Sequence, residues 1–162
     1  MSDYETVRDG FYLFWKGKLS QWHPSVFKHE FEYRTAEHWM MAQKAVLFGD
    51  TDAFEKILVV SSPKEAKDLG RLVKGFDKDI WDSRCFDIVF RGNMLKFGQN
   101  PELKKHLLDT GDQILVEASP YDKVWGIGLG QDDSRAVNPA QWEGKNLLGQ
   151  VLMVVRHELR NQ

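Results

Sequence analysis

The sequence predicts a single α+β domain that is mostly helical and contains a small β-sheet. Its 162 residues fit one domain of ordinary size, and no repeat, linker or low-complexity tract divides them. Six segments have the apolar spacing or the end signals of helices, whereas three short stretches have the composition of strands. We therefore expect one domain over residues 1–162.

The N-terminal part of the chain is predicted to contain two strands. Residues 10–15 (GFYLFW) form an aromatic run that is typical of a buried strand. Residues 19–27 contain Pro24 and are predicted to form a loop that carries Trp22. The alternation of polar and aromatic residues over 28–34 (KHEFEYR) then indicates an edge strand.

Residues 33–48 (YRTAEHWMMAQKAVLF) are predicted to form a helix that Thr35 caps and that ends at residues 49–50. At about 3.6 residues per turn, one stripe of this helix carries Glu37, Met41, Lys44 and Phe48. A carboxylate and an amine between apolar side chains fit neither a core face nor a solvent face. Two interpretations stay open, because Glu37 and Lys44 either extend into solvent or contact a ligand.

Four further helices are predicted before the next strand. They cover residues 52–60, 61–71, 80–97 and 101–110. Thr51 or Asp52 is expected to cap the first of the four. The second begins with a capping box formed by Ser62, Pro63 and Glu65, which is a strong signal for a helix start.

The C-terminal part is predicted to contain a strand, a glycine-rich segment and a last helix. Residues 112–119 (DQILVEAS) are the strongest strand candidate in the chain. The following glycine-rich segment contains Asp122 and Trp125, and from Gly126 onward its backbone can approach a ligand closely. The remaining elements are a loop over residues 134–142 and an amphipathic helix over residues 144–160.

Composition and charge argue against several classes of protein. A formal net charge of -2 provides no field that would attract a polyanion. No run of about 18 apolar residues is present and the N-terminus is polar, so we expect a soluble, cytoplasmic protein without a membrane partner. Cys85 is the single cysteine. It is expected to be a buried apolar residue rather than a nucleophile.

Motifs for metals and phosphate loops are absent from the sequence. The five histidines include no pair at the spacing of four residues that a zinc-binding helix uses. The glycines at 126, 128 and 130 do not match the dinucleotide-binding pattern, because residue 131 is Gln. We therefore expect neither a metal nor a cofactor.

The candidates that remain for chemistry are three carboxylates, Glu37, Glu117 and Asp122, together with Lys44 and several indole rings. Cleavage of a C–N or C–O bond at the anomeric carbon of a sugar builds positive charge on the ring. A carboxylate beside the ring and an acid near the leaving group are the minimum requirement. Residue types alone leave this reaction class open, because any chain of this length contains Asp and Glu.

Six blocks of residues follow one another along nearly the whole chain. They are residues 34–38 with Gln43 and Lys44; Ser61, Ser62, Pro63, Ala66, Gly70 and Arg71; Lys96, Phe97 and residues 99–101; Leu107, Leu108, Thr110 and Gly111; residues 115–117 with Asp122, Trp125 and Gly126; and Gly144, Asn146, Leu148, Gly149, Leu152, Met153 and Arg156. In this order the blocks resemble the NADAR family, also called YbiA-like. The resemblance is specific because it does not depend on any single motif.

The resemblance implies an N-glycosidase with a mostly helical α+β fold and a small sheet. Members of the family cut the N-glycosidic bond of phosphoribosylamino-pyrimidine intermediates of riboflavin synthesis, and some remove ADP-ribose from guanine bases. The same resemblance implies that Glu37 and Asp122 act as acid, base or cation-stabilising carboxylates. It also implies that Lys44 is a nucleophile, whose amine would trap the opened sugar as a Schiff base.

The resemblance further implies residues that bind the substrate. Trp125 would form a wall for the base or the ribose, with Gly126 and Trp22 as further substrate-binding residues. Arg71 and Asn146 would bind phosphate. One departure from the family is Ile127, because some members carry Asp at this position. The identity of the leaving group is therefore the property of this protein that the resemblance to the family predicts least well.

Two other classes of function are compatible with the sequence. The main alternative is a non-catalytic module that binds ADP-ribose or a nucleotide in the same pocket. A structural partner protein is a third possibility, supported only by the high aromatic content. As partners we expect a small nucleotide-like substrate or an ADP-ribosylated guanine base, and we infer no stable protein partner.

Overall fold

The computed structural model describes residues 3–162, which form five strands, six α-helices and two short 3-10 helices. The strands are β1 (Glu5–Arg8), β2 (Phe11–Phe14), β3 (Phe27–His29), β4 (Phe31–Tyr33) and β5 (Ile114–Glu117). The α-helices are α1 (Ala36–Leu47), α2 (Thr51–Val59), α3 (Pro63–Gly70), α4 (Lys78–Gln99), α5 (Pro101–Asp109) and α6 (Leu147–Arg160). The 3-10 helices, Ser134–Val137 and Pro139–Gln141, occupy the stretch that was predicted as a loop.

Contacts within the chain divide it into two compact units. The first unit comprises residues 3–20 and Pro101–Gln162, and the second comprises Gln21–Asn100. Helices predominate and the sheets are small, which confirms the predicted mostly helical α+β class. One domain over residues 1–162 stays a prediction, and its residues 1 and 2 lie outside the described part of the chain.

The sheet of the first unit has the strand order β1-β2-β5. The central strand β2 is buried at Tyr12, Leu13 and Phe14, as its aromatic sequence predicts. β1 pairs with it antiparallel and β5 pairs with it parallel. β1 was not predicted, because its four residues, ETVR, are mostly polar. The available signal was Asp9-Gly10, which forms the two-residue turn between β1 and β2 with both residues at positive φ.

α6 packs against β5 and covers the sheet with a row of fully buried side chains. That row consists of Leu148, Val151, Leu152 and Val155. Arg156 extends from the same helix and donates to Oγ1 of Thr110 and to the carbonyl of Gln113, both at 2.9 Å. These hydrogen bonds connect α6 to the segment between α5 and β5, so the residues that precede the strand are held in place as well.

α1 is the central helix of the second unit and contacts α2, α3 and α4. Trp39 of α1 lies in an aromatic cluster, with ring centroids 5.0 Å from Tyr33 and 6.2 Å from Phe27. Its indole Nε1 donates to the carbonyl of Ile88 in α4 at 2.8 Å. A buried indole therefore has its one donor satisfied, as burial requires.

The helix starts agree with the prediction at two positions and differ at a third. The Thr35 hydroxyl accepts from the His38 N–H at 3.2 Å, and Ser62 accepts from the Glu65 N–H at 3.1 Å. The predicted cap of α2, Thr51 or Asp52, is wrong, because Asp50 accepts from the Ala53 N–H. The cap thus lies one residue before the earlier of the two predicted positions. Asp50 is available for it because α1 ends at Leu47.

The predicted edge strand over residues 28–34 is a tight hairpin instead. β3 and β4 pair antiparallel, with Phe27 opposite Tyr33 and His29 opposite Phe31. Glu30 turns the chain in the left-handed region, at φ 63. An alternating pattern indicates extended backbone but carries no signal for a turn at a glutamate, because this residue type seldom adopts positive φ.

Lys96 in α4 is the largest charged side chain in the core of the second unit. It is fully buried, and its Nζ lies 4.8 Å from the ring centroid of Phe97. Burial disfavours the ammonium form and lowers the pKa of Lys96 to about 7. In an unfolded chain a lysine titrates near 10.4. Between these two pH values, the unfolded chain therefore binds more protons at this position than the folded chain.

Lys96→Met is expected to remove a pH dependence of stability. Because a depressed lysine pKa penalises the folded state while the amine is charged, the free energy of unfolding rises from about pH 7 to pH 10, by at most about 1.4 kcal/mol per pH unit. Urea unfolding at several pH values would measure the difference between wild type and variant. Lys28→Met, at an exposed lysine, is the control. Parallel curves for wild type and Lys96→Met would contradict the prediction.

Candidate active site

α1 carries the two charged residues of the predicted stripe at different depths. Glu37 lies in the first turn with a side chain that is only 4% exposed, and its backbone N–H donates to the Gln21 carbonyl at 3.0 Å. Lys44 follows about two turns later and is half-buried. Glu37 therefore does not extend into solvent, whereas Lys44 is partly accessible.

The Lys44 amine lies against two aromatic rings of the second unit. Its Nζ is 4.5 Å from the ring centroid of Phe76 and 5.6 Å from that of Trp81. Burial is the main cause that lowers the pKa of Lys44; the Glu37 carboxylate raises it and the Arg71 guanidinium lowers it further. A lowered pKa increases the fraction of neutral amine, which is the nucleophilic form.

Arg71 and Trp22 belong to the same unit as Glu37 and Lys44. Arg71 is an exposed residue at the C-terminal end of α3. Trp22 is 41% exposed, and its ring lies 5.9 Å from Nζ of Lys67 in α3. An exposed guanidinium that influences the Lys44 amine is suited to bind an anionic group of a ligand.

Asp122 holds the glycine-rich loop of the first unit together. Its Oδ1 accepts from the N–H groups of Val124 at 2.9 Å and Trp125 at 2.8 Å, and its carbonyl accepts from Gly128 at 3.1 Å. The side chain thus forms an Asx turn, in which a carboxylate replaces a backbone acceptor. This structural role of Asp122 is observed, whereas a catalytic role of the same side chain stays a prediction.

Gly126 and Asn146 join the loop to the end of β5. A Cβ atom on Gly126 would lie 2.9 Å from the carbonyl oxygens of Asp122 and Glu117, so only glycine fits there. The Gly126 carbonyl accepts from Asn146 N–H at 3.0 Å. Asn146 is in the left-handed region, and its amide accepts from Glu117 N–H and donates to the Leu115 carbonyl, both at 3.0 Å. That amide is buried and engaged, so phosphate binding by Asn146 stays a prediction.

The predicted site residues belong to both units. Glu37, Lys44, Arg71 and Trp22 lie in the second, and Asp122, Trp125, Gly126 and Asn146 lie in the first. The charges of Glu37 and Arg71 both act on the pKa of the Lys44 amine, and hydrogen bonds group Asp122, Trp125, Gly126 and Asn146 around one loop. The union of the two groups in one catalytic site stays a prediction.

The sequence analysis missed the aromatic pair beside Lys44. Phe76 lies in the turn before α4, and Trp81 lies in the first part of that helix. Neither is at a helical spacing from Lys44, so periodicity gave no signal. The only available signal was the occurrence of these two large aromatic residues within ten positions of Arg71 in the sequence, and it was too weak to assign a partner.

Neither a metal-binding cluster nor a membrane-spanning helix occurs among the described residues. Between residues 3 and 162, no three His, Cys, Asp or Glu side chains are arranged to hold a metal ion. None of the helices in that part of the chain is long and apolar enough to cross a membrane.

Comparison with known proteins identifies the family. A model of the NADAR domain matches residues 11–160. The chain belongs to the NADAR family. The protein named N-glycosidase R617 of Acanthamoeba polyphaga mimivirus is 52% identical over 146 residues, which cover 86% of each chain. The NMR structure of the E. coli protein YbiA matches with a TM-score of 0.78 at 29% identity, covering 98% of this chain and 90% of that one.

A plant relative is longer than this NADAR chain. The Zea mays protein named "Riboflavin biosynthesis protein PYRR, chloroplastic" is 33% identical over 174 residues. The match covers 98% of this chain but only 26% of the maize protein. The NADAR chain thus corresponds to one part of that larger protein.

The charges around Lys44 predict opposite effects of two substitutions on its pKa. Glu37→Gln removes a group that raises the pKa, so the Lys44 amine should titrate at lower pH than in wild type. Arg71→Gln removes a group that lowers it, so the amine should titrate at higher pH. The pH dependence of amine modification at Lys44, followed by peptide mass spectrometry, measures both shifts. Shifts in the same direction would contradict the assignment.

A pair of substitutions separates the structural part of Asp122 from its charge. Asp122→Ala removes the acceptor of two N–H groups and should cost about 1 kcal/mol of stability or more. Asp122→Asn keeps an acceptor oxygen without the charge and should stay near wild type in thermal unfolding. If Asp122→Asn is as unstable as Asp122→Ala, the charge itself holds the loop.

Proposed function

We propose that the chain is an N-glycosidase that hydrolyses the bond between a ribose and a base. The observation that carries this proposal is the environment of Lys44 in a NADAR domain: a half-buried amine of lowered pKa that follows a buried carboxylate on the same helix. The name of the mimivirus relative supports the reaction type. The name of the maize relative supports substrates that belong to riboflavin synthesis.

The substrates that we propose are ribosylamino-pyrimidine phosphates of riboflavin synthesis, ADP-ribosylated guanine, or both. Each has an N-glycosidic bond, a ribose and at least one phosphate group. Arg71 would bind a phosphate group, and Trp125 and Trp22 would contact the base or the ribose. We further propose that the protein is cytoplasmic, in agreement with its single cysteine. Its binding partner in this proposal is the substrate itself.

In the proposed reaction the bond between C1′ and the base nitrogen breaks with both electrons moving to the nitrogen, which takes a proton from a carboxylic acid of the site. Asp122 is the candidate for this acid. Positive charge develops on the sugar ring, and the Glu37 carboxylate stabilises it. The neutral Lys44 amine then attacks C1′ and gives a proton to the carboxylate that the first step produced. Breaking of the C1′–O4′ bond opens the ring and gives a Schiff base. Water hydrolyses the Schiff base, which restores the amine and releases the sugar.

The buried position of Glu37 is well suited to this reaction. A carboxylate in low dielectric interacts with a developing cation more strongly than it would in water. It is already in place before the charge appears, so little reorganisation is needed at the moment of bond cleavage. The half-buried Lys44 is accessible enough to reach the sugar carbon while its surroundings keep part of the population neutral.

Lys44→Met and Glu37→Gln are expected to abolish turnover and leave the fold intact. Loss of a nucleophile or of a positioned acid–base group lowers kcat by about 10²-fold or more, whereas both replacements are close in size to the original side chains. Release of free base from both substrates would be followed by mass spectrometry, together with thermal unfolding. Lys28→Met, at an exposed lysine of β3, is the matched control.

The outcomes separate the proposed mechanism from its alternatives. Borohydride reduction during turnover should add the mass of the sugar at Lys44 in wild type and none in Lys44→Met. Turnover without an adduct would favour direct attack by water, assisted by Glu37 or Asp122. Calorimetric binding of the substrate without product after long incubation would identify a non-catalytic binding module. Absence of both binding and turnover would refute the proposal.

A further inference from the structure

Two aromatic rings of the second unit flank the Lys44 amine. The Lys44 Nζ lies over the ring of Phe76, 4.5 Å from its centroid, and is 5.6 Å from the centroid of Trp81. Both distances are within the range of about 6 Å in which a ring face attracts a cation. Lys44 and Trp81 are half-buried, and Phe76 is 45% exposed. The reaction proposed above assigns no part to these rings.

The segment before α4 holds the ring of Phe76 in place. The ring packs on Phe48, with centroids 5.4 Å apart and ring planes at 60°. The Lys74 N–H donates to the Asp50 carboxylate at 2.9 Å, which ties the segment to the start of α2. Gly75 is in the left-handed region at φ 80, so the chain can turn between Lys74 and Phe76. The fold itself therefore sets the position of the ring beside the amine.

The rings affect the charge of the amine in two opposite ways. They exclude water, and burial is the main cause that lowers the pKa of Lys44. Their faces also carry partial negative charge, which attracts a cation at Nζ. Of the charged groups that act on the amine, Glu37 raises its pKa and Arg71 lowers it. The surroundings thus admit a neutral amine and still attract a positive charge that forms at the same nitrogen.

A positive charge forms at that nitrogen during the proposed reaction. When the C1′–O4′ bond of the Lys44 adduct breaks, its electron pair moves to O4′, which takes a proton from the carboxylic acid that the previous step formed. The lone pair of Nζ then forms the C=N bond. The product is a protonated Schiff base, an iminium ion whose charge is shared by Nζ and C1′. Ring faces stabilise such a cation without accepting its proton, so the carbon stays reactive towards water.

We propose that Phe76 and Trp81 are catalytic residues that hold the iminium ion of Lys44 by cation–π attraction. The inference rests on the proposed N-glycosidase function for the source of this ion. The geometry that carries it is the approach of two ring faces, at 4.5 and 5.6 Å, to the atom that becomes positively charged. All three residues belong to the second unit. Any small aldehyde forms the same kind of ion with the amine, so the test does not depend on turnover.

The first measurement is the pKa of Lys44 in ring variants. Phe76→Leu and Trp81→Met keep an apolar side chain that excludes water but lack the ring face, so each should lower the pKa of Lys44 further, by about 0.5. Phe76→Tyr keeps the face and should stay at the wild-type value. The pH dependence of amine modification at Lys44, followed by peptide mass spectrometry, measures the pKa. Phe31→Leu, at an exposed ring of β4, is the control.

The second measurement follows the iminium ion itself. Glycolaldehyde and cyanoborohydride are added at a pH above each measured pKa, where the amine is neutral. The aldehyde and the amine then take up a proton and release water to form the iminium ion, and hydride addition to its carbon gives a stable secondary amine. Loss of a ring face should slow the formation of this adduct at Lys44 about two- to fivefold in Phe76→Leu and Trp81→Met. Phe76→Tyr and Phe31→Leu should match wild type.

The outcomes separate this inference from the function on which it rests. An unchanged or raised pKa of Lys44 in both ring variants would mean that the rings act only by excluding water. Adduct rates equal to wild type would mean that they hold only the ammonium ion. Either result, or the absence of a wild-type adduct at Lys44, would overturn the inference even where the protein releases base. The expected ring effects without release of base would instead refute only the N-glycosidase function.

Discussion

The close approach of α3 and α4 to α1 is the constraint on which the second unit depends. A Cβ atom on Gly70 of α3 would overlap the Met41 side chain, and one on Gly92 of α4 would overlap the indole of Trp39. Glycines at these two points let the helices pack at distances that no other residue permits. Water is thereby excluded from most of the surface of α1. Glu37 is one of the buried residues of this helix.

Backbone hydrogen bonds restrain the glycine-rich loop of the first unit together with the buried side chains of Ile127 and Leu129. The Ile127 N–H donates to the Glu117 carbonyl at 3.0 Å, and the Glu143 N–H donates to Ile127 at 2.9 Å. A Cβ atom on Gly144 would overlap the Gly126 carbonyl, so the backbone at these two glycines is in direct contact. The segment without regular secondary structure is therefore rigid. It meets the general condition for functional loops, which are positioned by a fixed scaffold.

The sequence predicted the elements whose signals are local. The cap of α1 at Thr35, the cap of α3 at Ser62 and the apolar face of α6 all depend on neighbours within a turn, and all three agree with the structure. β1 was missed although its signal is also local, because Asp9-Gly10, both at positive φ, form the two-residue turn between the paired residues Arg8 and Phe11. The turn at Glu30 carried no such signal, because a glutamate seldom adopts positive φ. Part of the candidate site carried no local signal either. Its charges were visible in the sequence, but the rings of Phe76 and Trp81 beside Lys44 result from tertiary packing.

The opposing influences on Lys44 explain how the proposed site handles charge. Burial favours the neutral amine, and Glu37 favours the ammonium ion. When the amine loses its proton, the buried carboxylate loses one positive neighbour, which costs free energy in low dielectric. The positive charge that develops on the ribose as the C–N bond breaks would replace that neighbour. In the proposed reaction, a substrate whose sugar becomes cationic would thus be favoured in the state in which the amine is nucleophilic, and the Glu37 carboxylate would couple the two events.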